Sequence, residues 1–284
     1  VRVNTAAVND APAGADKAVT ILEDGSYTFG AADFGFSDVD IGDALAAVKI
    51  TTLPTNGVLK LGTTPITAGT EVLAADIANL SFTPAANANG SNYANFTFQV
   101  RDSSGAPNAL DPSANTFTID VTPVNDAPAG INGRETILED TNYIFSASDF
   151  RFTDTEGDSL AAVRITNLPP ASEGKLQLQT SNGWVDITNN TEISRLKLND
   201  GDLRYNPAPN ANGRAEFTFQ VRDDGGTSDG GIALDQTANT FTINVTPVND
   251  APVISAATKV AGTLTEGSVL TDSGSFTFSD LDLS

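Results

Sequence analysis

Cysteine, histidine and methionine are absent from all 284 residues. Without thiolate or imidazole the chain can form no disulfide, no soft-ligand metal site and no Ser-His or Cys-His catalytic arrangement. Basic residues are scarce, 15 Lys and Arg against 36 Asp and Glu, and the formal net charge is −21. Neutralising phosphate takes Lys and Arg, so nucleic acid and anionic membrane surfaces are excluded as partners, whereas cations are attracted. One Trp and four Tyr give little platform for stacking on sugars, which leaves polysaccharide as a secondary partner. No apolar run is long enough to cross a membrane and no signal peptide is recognisable, so these residues are not expected to insert into a bilayer. Both ends fall inside repeats, so the chain is expected to be a piece of something longer, and missing targeting signals say nothing about location.

What the chain does contain is a recurring joint. Val-Asn-Asp-Ala-Pro stands at 8–12, 124–128 and 248–252, each time after an alternating stretch that reads as a strand. Asp10, Asp126 and Asp250 are 116 and 124 residues apart, the length of one sandwich domain plus some loop. The joints mark out the end of a preceding repeat (1–10), repeat one (11–126), repeat two (127–250) and the start of a third (251–284). Val1 and Val3 read as the last strand of that preceding repeat.

Strands in repeat one follow the alternation of Val19 and Ile21; Tyr27 and Phe29; Ala46, Val48 and Ile50; Val58 to Leu61; Leu80 and Phe82; Phe96, Phe98 and Val100; and Phe117, Ile119 and Val121. No helical period of similar length occurs. Seven or so short strands with turn residues between them predict an all-β chain of Ig-like Greek-key β-sandwiches, joined end to end by short linkers. Repeat two copies the plan, with Ile137-Leu-Glu-Asp140 matching Ile21-Leu-Glu-Asp24. It adds a hairpin at Asn182-Gly183 beside the only Trp, Trp184, read as a packing cap, and a Gly-rich loop over 223–231.

The acidic residues follow the poles of such a sandwich. Asp38 and Asp40 lie between the second and third strands, Asp102 ends the sixth and Asp111 precedes the seventh, so all four should crowd the entry pole beside Asn9 and Asp10. Glu23, Asn87 and Asn89 should occupy the exit pole. Repeats in series would gather Glu23, Asn87 and Asn89, the joint residues Asn125 and Asp126, and Asp154, Glu156, Asp223 and Asp235 of repeat two. The following joint would use Glu139, Asn249 and Asp250, with Asp280 and Asp282 from the third repeat. Crowded carboxylates repel, and an all-oxygen set without nitrogen or sulfur matches Ca2+; acidic loops that are simply solvated are the alternative. The Glu recurs as Glu23, Glu139 and Glu266, while the next residue is Asp24, Asp140 and then Gly267, so only the Glu is taken as a ligand.

These motifs resemble the cadherin family, and more closely the cadherin-like tandem repeats of very large secreted bacterial adhesins. Val124-Asn-Asp-Ala-Pro128 is similar to the family's linker and Asp38-Val-Asp40 to its Asp-x-Asp loop. Glu23 is similar to its first-loop glutamate, and Arg101-Asp102 to the close of its sixth strand. The family's Asp-Arg-Glu motif is missing, and Phe82-Thr-Pro84 with Asn87 and Asn89 stands there instead, which implies fewer ions per joint. The resemblance implies calcium ions bound between neighbouring repeats of an extracellular, cell-surface protein. The expected function is that of non-enzymatic extender repeats stiffened by calcium in support of cell adhesion, with a calcium-dependent carbohydrate-binding module as the alternative. Carboxylate pairs can hydrolyse glycosides, but acids that recur at every joint suit scaffolding better than one cleft, so no catalytic residue is expected.

Overall fold

A computed structural model of the chain describes residues 8–257 and 275–279. The readings placed on Val1, Val3, Glu266, Asp280 and Asp282 lie outside the described residues. The first sandwich is built from β1 (Lys17–Leu22), β2 (Tyr27–Thr28), β3 (Leu45–Ile50), β4 (Val58–Leu61), β5 (Thr64–Pro65), β6 (Glu71–Leu73), β7 (Leu80–Thr83), β8 (Gly90–Asp102) and β9 (Asn115–Thr122). One sheet has the order β1-β9-β8-β3-β6 and the other β2-β7-β4-β5. The first and last strands pair in parallel, from Lys17 opposite Phe117 to Leu22 opposite Thr122.

The second sandwich repeats this order with β10 (Gly133–Leu138), β11 (Tyr143–Ile144), β12 (Leu160–Asn167), β13 (Gly174–Thr180), β14 (Gly183–Asp186), β15 (Thr191–Ser194), β16 (Leu203–Pro207), β17 (Gly213–Asp223) and β18 (Asn239–Thr246). Its sheets run β10-β18-β17-β12-β15 and β11-β16-β13-β14, with β10 parallel to β18. Beyond it, β19 (Val253–Ala257) pairs antiparallel with β20 (Phe276–Ser279).

Alternation fixes which side chains face inward, because successive strand residues point to opposite faces. In β8 this sends Phe96, Phe98 and Val100 to the core, where each is fully buried. Phe96 stacks on Phe117 at 5.3 Å, and Phe29 meets Phe117 edge to face at 5.0 Å. Repeat two rebuilds the set, with Phe217 stacked on Phe241 at 5.4 Å and Phe145 edge-on to Phe241 at 5.2 Å. Each such pair adds about 0.5–1.5 kcal/mol beyond the burial of its area. Each sandwich therefore has its own aromatic and aliphatic core.

The described strands exceed the seven read from alternation. β5 and β6 hold two and three residues, too few to show a period. Repeat two also holds one short helix, α1 (Arg195–Asn199), whose first turn is capped by the Ser194 hydroxyl accepting from Lys197 N at 3.4 Å. The hairpin at Trp184 forms as expected, with Thr180 opposite Gly183 and Gly183 at φ +95°. The Arg204 guanidinium lies 4.2 Å from the centre of the Trp184 ring and donates to Gln177 Oε1, so this face of the ring is already covered.

Candidate metal centre

The second-to-third loop of each repeat brings three carboxylates together: Asp38, Asp40 and Asp43 in repeat one, Asp154, Glu156 and Asp158 in repeat two. In each triad one oxygen from every member lies within 4.8 Å of the others. Local hydrogen bonds make this possible. Asp38 Oδ1 accepts from Asp40 N at 2.7 Å, and Asp154 Oδ1 accepts from Asp158 N at 2.8 Å, so the first acid of each loop folds the loop back on itself. The other oxygen of that acid, Oδ2 of Asp38 and of Asp154, is buried and makes no hydrogen bond.

The joint residues attach to the same loops. Asp10 N donates to Asp40 Oδ2 at 2.7 Å, and Asp126 N donates to Glu156 Oε2 at 3.0 Å. Asn9 Nδ2 reaches Asp102 Oδ2 at 3.3 Å, while Asn9 Oδ1 is buried with no partner. Asp102 is itself buried and accepts from Ser104 N and Oγ at 2.8 and 2.5 Å. Desolvation of Asp102 is outweighed by these bonds, with help from Asn9 and Arg101, and its carboxyl sits below the usual range. In repeat two, Asp223 is buried and accepts from Gly225 N at 3.0 Å. Asn249 donates to Asp250 O at 2.8 Å at the third joint.

Crowding shows in the proton affinities. Desolvation pushes the Glu156 carboxyl above its ordinary range, and the charges of Asp126 and Asp154 add to this against the hydrogen bond from Asp126 N. Asp158 is raised by desolvation and by Asp154, Asp223 and Asp224. Two like charges about 4 Å apart repel by roughly 1 kcal/mol in water and roughly 4 kcal/mol at an effective dielectric near 20.

The donor set fits calcium. Oxygens bound to one Ca2+ at about 2.3–2.6 Å lie at most about 5 Å apart, and both triads meet that limit. A buried carboxylate oxygen with no donor is costly unless a cation satisfies it. Asp43 and Asp158 were not among the residues picked from the sequence. Asp43 is the third acid in Asp38-Val-Asp40-Ile-Gly-Asp43, a spacing that could have marked it.

The exit-pole residues are hydrogen-bonded within their own repeats. Glu23 is 3 % exposed; its Oε1 accepts from Val124 N at 2.6 Å and its Oε2 from Asn89 Nδ2 at 2.9 Å. Glu139 repeats the arrangement, with Val248 N at 2.7 Å and Asn212 Nδ2 at 3.5 Å. Each Glu thus fastens the chain leaving the last strand of its own repeat. Asn87, placed at the exit pole from the sequence, occupies a left-handed turn at φ +55°, and Asn210 matches it at φ +55°. Asp111 and Asp235 are also committed internally. Asp111 accepts from Gly14 N and Asn115 Nδ2, both at 2.8 Å, and from Ser113 N at 2.9 Å; Asp235 accepts likewise from Gly130, Asn239 and Thr237.

A family profile described as bacterial Ig domain matches residues 9–122 and again 125–235. Among solved structures, human mucin-like protocadherin EC1-2 is similar at 17% identity and TM-score 0.36, over 84% of this chain and 98% of that one. Mouse cadherin-23 EC22-24 is similar at 16% identity and TM-score 0.44, over 88% of this chain and 71% of that one. No curated protein matches. No helix among the described residues is long and apolar enough to cross a membrane.

Proposed function

The chain belongs to the bacterial Ig domain family, and on that premise we propose that its repeats are non-enzymatic extender modules of a bacterial cell-surface adhesin, stiffened by calcium at their joints. The observation that carries this reading is the pair of buried, unpartnered oxygens, Asp38 Oδ2 and Asp154 Oδ2, at matching places in two acidic triads. Asp38, Asp40 and Asp43 would hold an ion in repeat one, and Asp154, Glu156 and Asp158 in repeat two. A bound ion would supply the positive charge that these oxygens lack. Because Asp10 N and Asp126 N already bond to Asp40 and Glu156, fixing the loop also fixes the joint residue. Calcium is plentiful outside cells and scarce in the cytoplasm, so the joints would set only after export.

Calorimetric titration with calcium tests the site. Wild type should bind saturably, and calcium at 100 times its Kd should add about 2.7 kcal/mol of stability. Asp38→Ala and Asp154→Ala should each lose binding in their own repeat with an unchanged far-UV circular dichroism spectrum. Equal binding in wild type and both variants, or none in wild type, rejects the assignment. The extender role predicts a narrower distribution of end-to-end lengths by small-angle scattering in calcium than in chelator; identical distributions reject stiffening by calcium.

A further inference from the structure

In a chain of net charge −21, three arginines surround one cavity of about 500 Å³ in repeat two: Arg134, Arg151 and Arg214. The cavity lies over the outer face of β10, β18 and β17. Arg134 on β10 sits opposite Thr242 on β18, and Thr242 opposite Glu216 on β17, giving one row across three strands. Arg214 is paired with Glu216, which also accepts from Thr242 Oγ1 at 2.8 Å. Arg134 and Arg151 make no ion pair among the described residues. Three arginines and one glutamate leave this wall locally positive.

Comparison with repeat one shows that the fold does not require this charge. The shared strand registers put Ala18 where repeat two has Arg134. Asp16 Oδ1 accepts from Thr116 N at 2.7 Å, and Asn132 Oδ1 accepts from Thr240 N at 2.8 Å: the same bond without the negative charge. Backbone conformation at Arg151 is the independent sign. It ends a short 3-10 segment at φ +42°, ψ +63°, where repeat one uses Gly35 at φ +57°. A side chain with a Cβ is strained there, and glycine is the unstrained choice. Strain of this kind is retained where the side chain serves a site.

We propose that this cavity is an oxyanion site, taking a sulfate, phosphate or carboxylate group that the unpaired guanidinium forks of Arg134 and Arg151 grip through paired N–H donors. Three arginines neutralise too few phosphates for a nucleic acid backbone, and the acidic surface elsewhere disfavours a long anion lying along the chain. The ligand is therefore one discrete oxyanion, either free or carried on an acidic sugar.

The test uses the full chain in chelator, so that the acidic triads play no part in the result. Sodium sulfate and sodium phosphate at constant ionic strength, polygalacturonate and a sulfated dextran are titrated separately, following arginine side-chain NMR signals. A saturable shift with at least one probe is expected, weakened about tenfold in Arg134→Ala and in Arg151→Gly. Arg151→Gly should also melt at or above the wild-type temperature, because the glycine relieves the backbone. A response to the free ions alone identifies an inorganic oxyanion, and a response to one polymer identifies its sugar-borne group. No saturable shift with any probe, or equal shifts in wild type and both variants, overturns the proposal.

Discussion

Replacing Glu23 should unlock the end of repeat one even when no metal is present. The carboxylate is buried and accepts two hydrogen bonds, from Val124 N at 2.6 Å and Asn89 Nδ2 at 2.9 Å. A hydrogen bond to a charged group contributes about 1.5–3 kcal/mol, so Glu23→Ala removes roughly twice that in gross terms. Loss of the carboxylate's own burial cost, and entry of water at an exit pole near the surface, offset part of it. A net loss of about 2–4 kcal/mol remains. For a sandwich of this length each kcal/mol moves the midpoint by roughly 3–5 °C, so repeat one should melt about 6–20 °C lower. The neighbouring Asp24 is exposed, and Asp24→Ala should change stability by about 0.5 kcal/mol or less. Scanning calorimetry of wild type and both variants in chelator reads the difference. Equal melting of the two variants would refute the reasoning, because the carboxylate would then contribute only through a bound ion.

The raised carboxyl of Glu156 gives a pH effect of definite sign. A folded-state value above the unfolded one contributes stability that is full below the unfolded value and lost as pH rises through the folded one. Without calcium, repeat two should therefore gain stability as pH falls from 7 toward about 5, and Glu156→Gln should flatten that slope in thermal melts; an unchanged slope excludes Glu156 as its source. Gly57 sits at φ +72°, where an added Cβ would lie 2.4 Å from Phe82 Cζ. Gly57→Ala should cost about 2–4 kcal/mol through backbone strain and overpacking, read from denaturant midpoints, and a loss under about 0.5 kcal/mol would contradict the packing described.

The sandwich was legible because alternating Phe, Ile and Val residues and the three Val-Asn-Asp-Ala-Pro joints are local signals that the topology leaves intact. The position of Asp38, Asp40 and Asp102 near Asn9 and Asp10 could be argued from strand order alone. What each carboxylate does there could not. Glu23, Asp102 and Asp111 look alike in sequence, yet Glu23 fastens Val124, Asp102 is held by Ser104, and Asp111 accepts from Gly14 across 97 residues of chain. Those partners depend on loop conformation, such as the left-handed turn at Asn87, which short polar segments do not announce. Arg151 escaped notice for the same reason, since its backbone angle has no signature in residue type.

The parallel pairing of β1 with β9 has a mechanical consequence. Each repeat is entered at the start of its first strand and left at the end of its last, so a pull on the chain drags these two neighbours in opposite directions along their common axis. All six residue pairs from Lys17–Phe117 to Leu22–Thr122 are then loaded together, rather than peeled apart one by one. The β10–β18 pair in repeat two, from Gly133–Phe241 to Leu138–Thr246, is loaded in the same way. Force along the chain thus meets a shear clamp in each sandwich before it reaches either aromatic core.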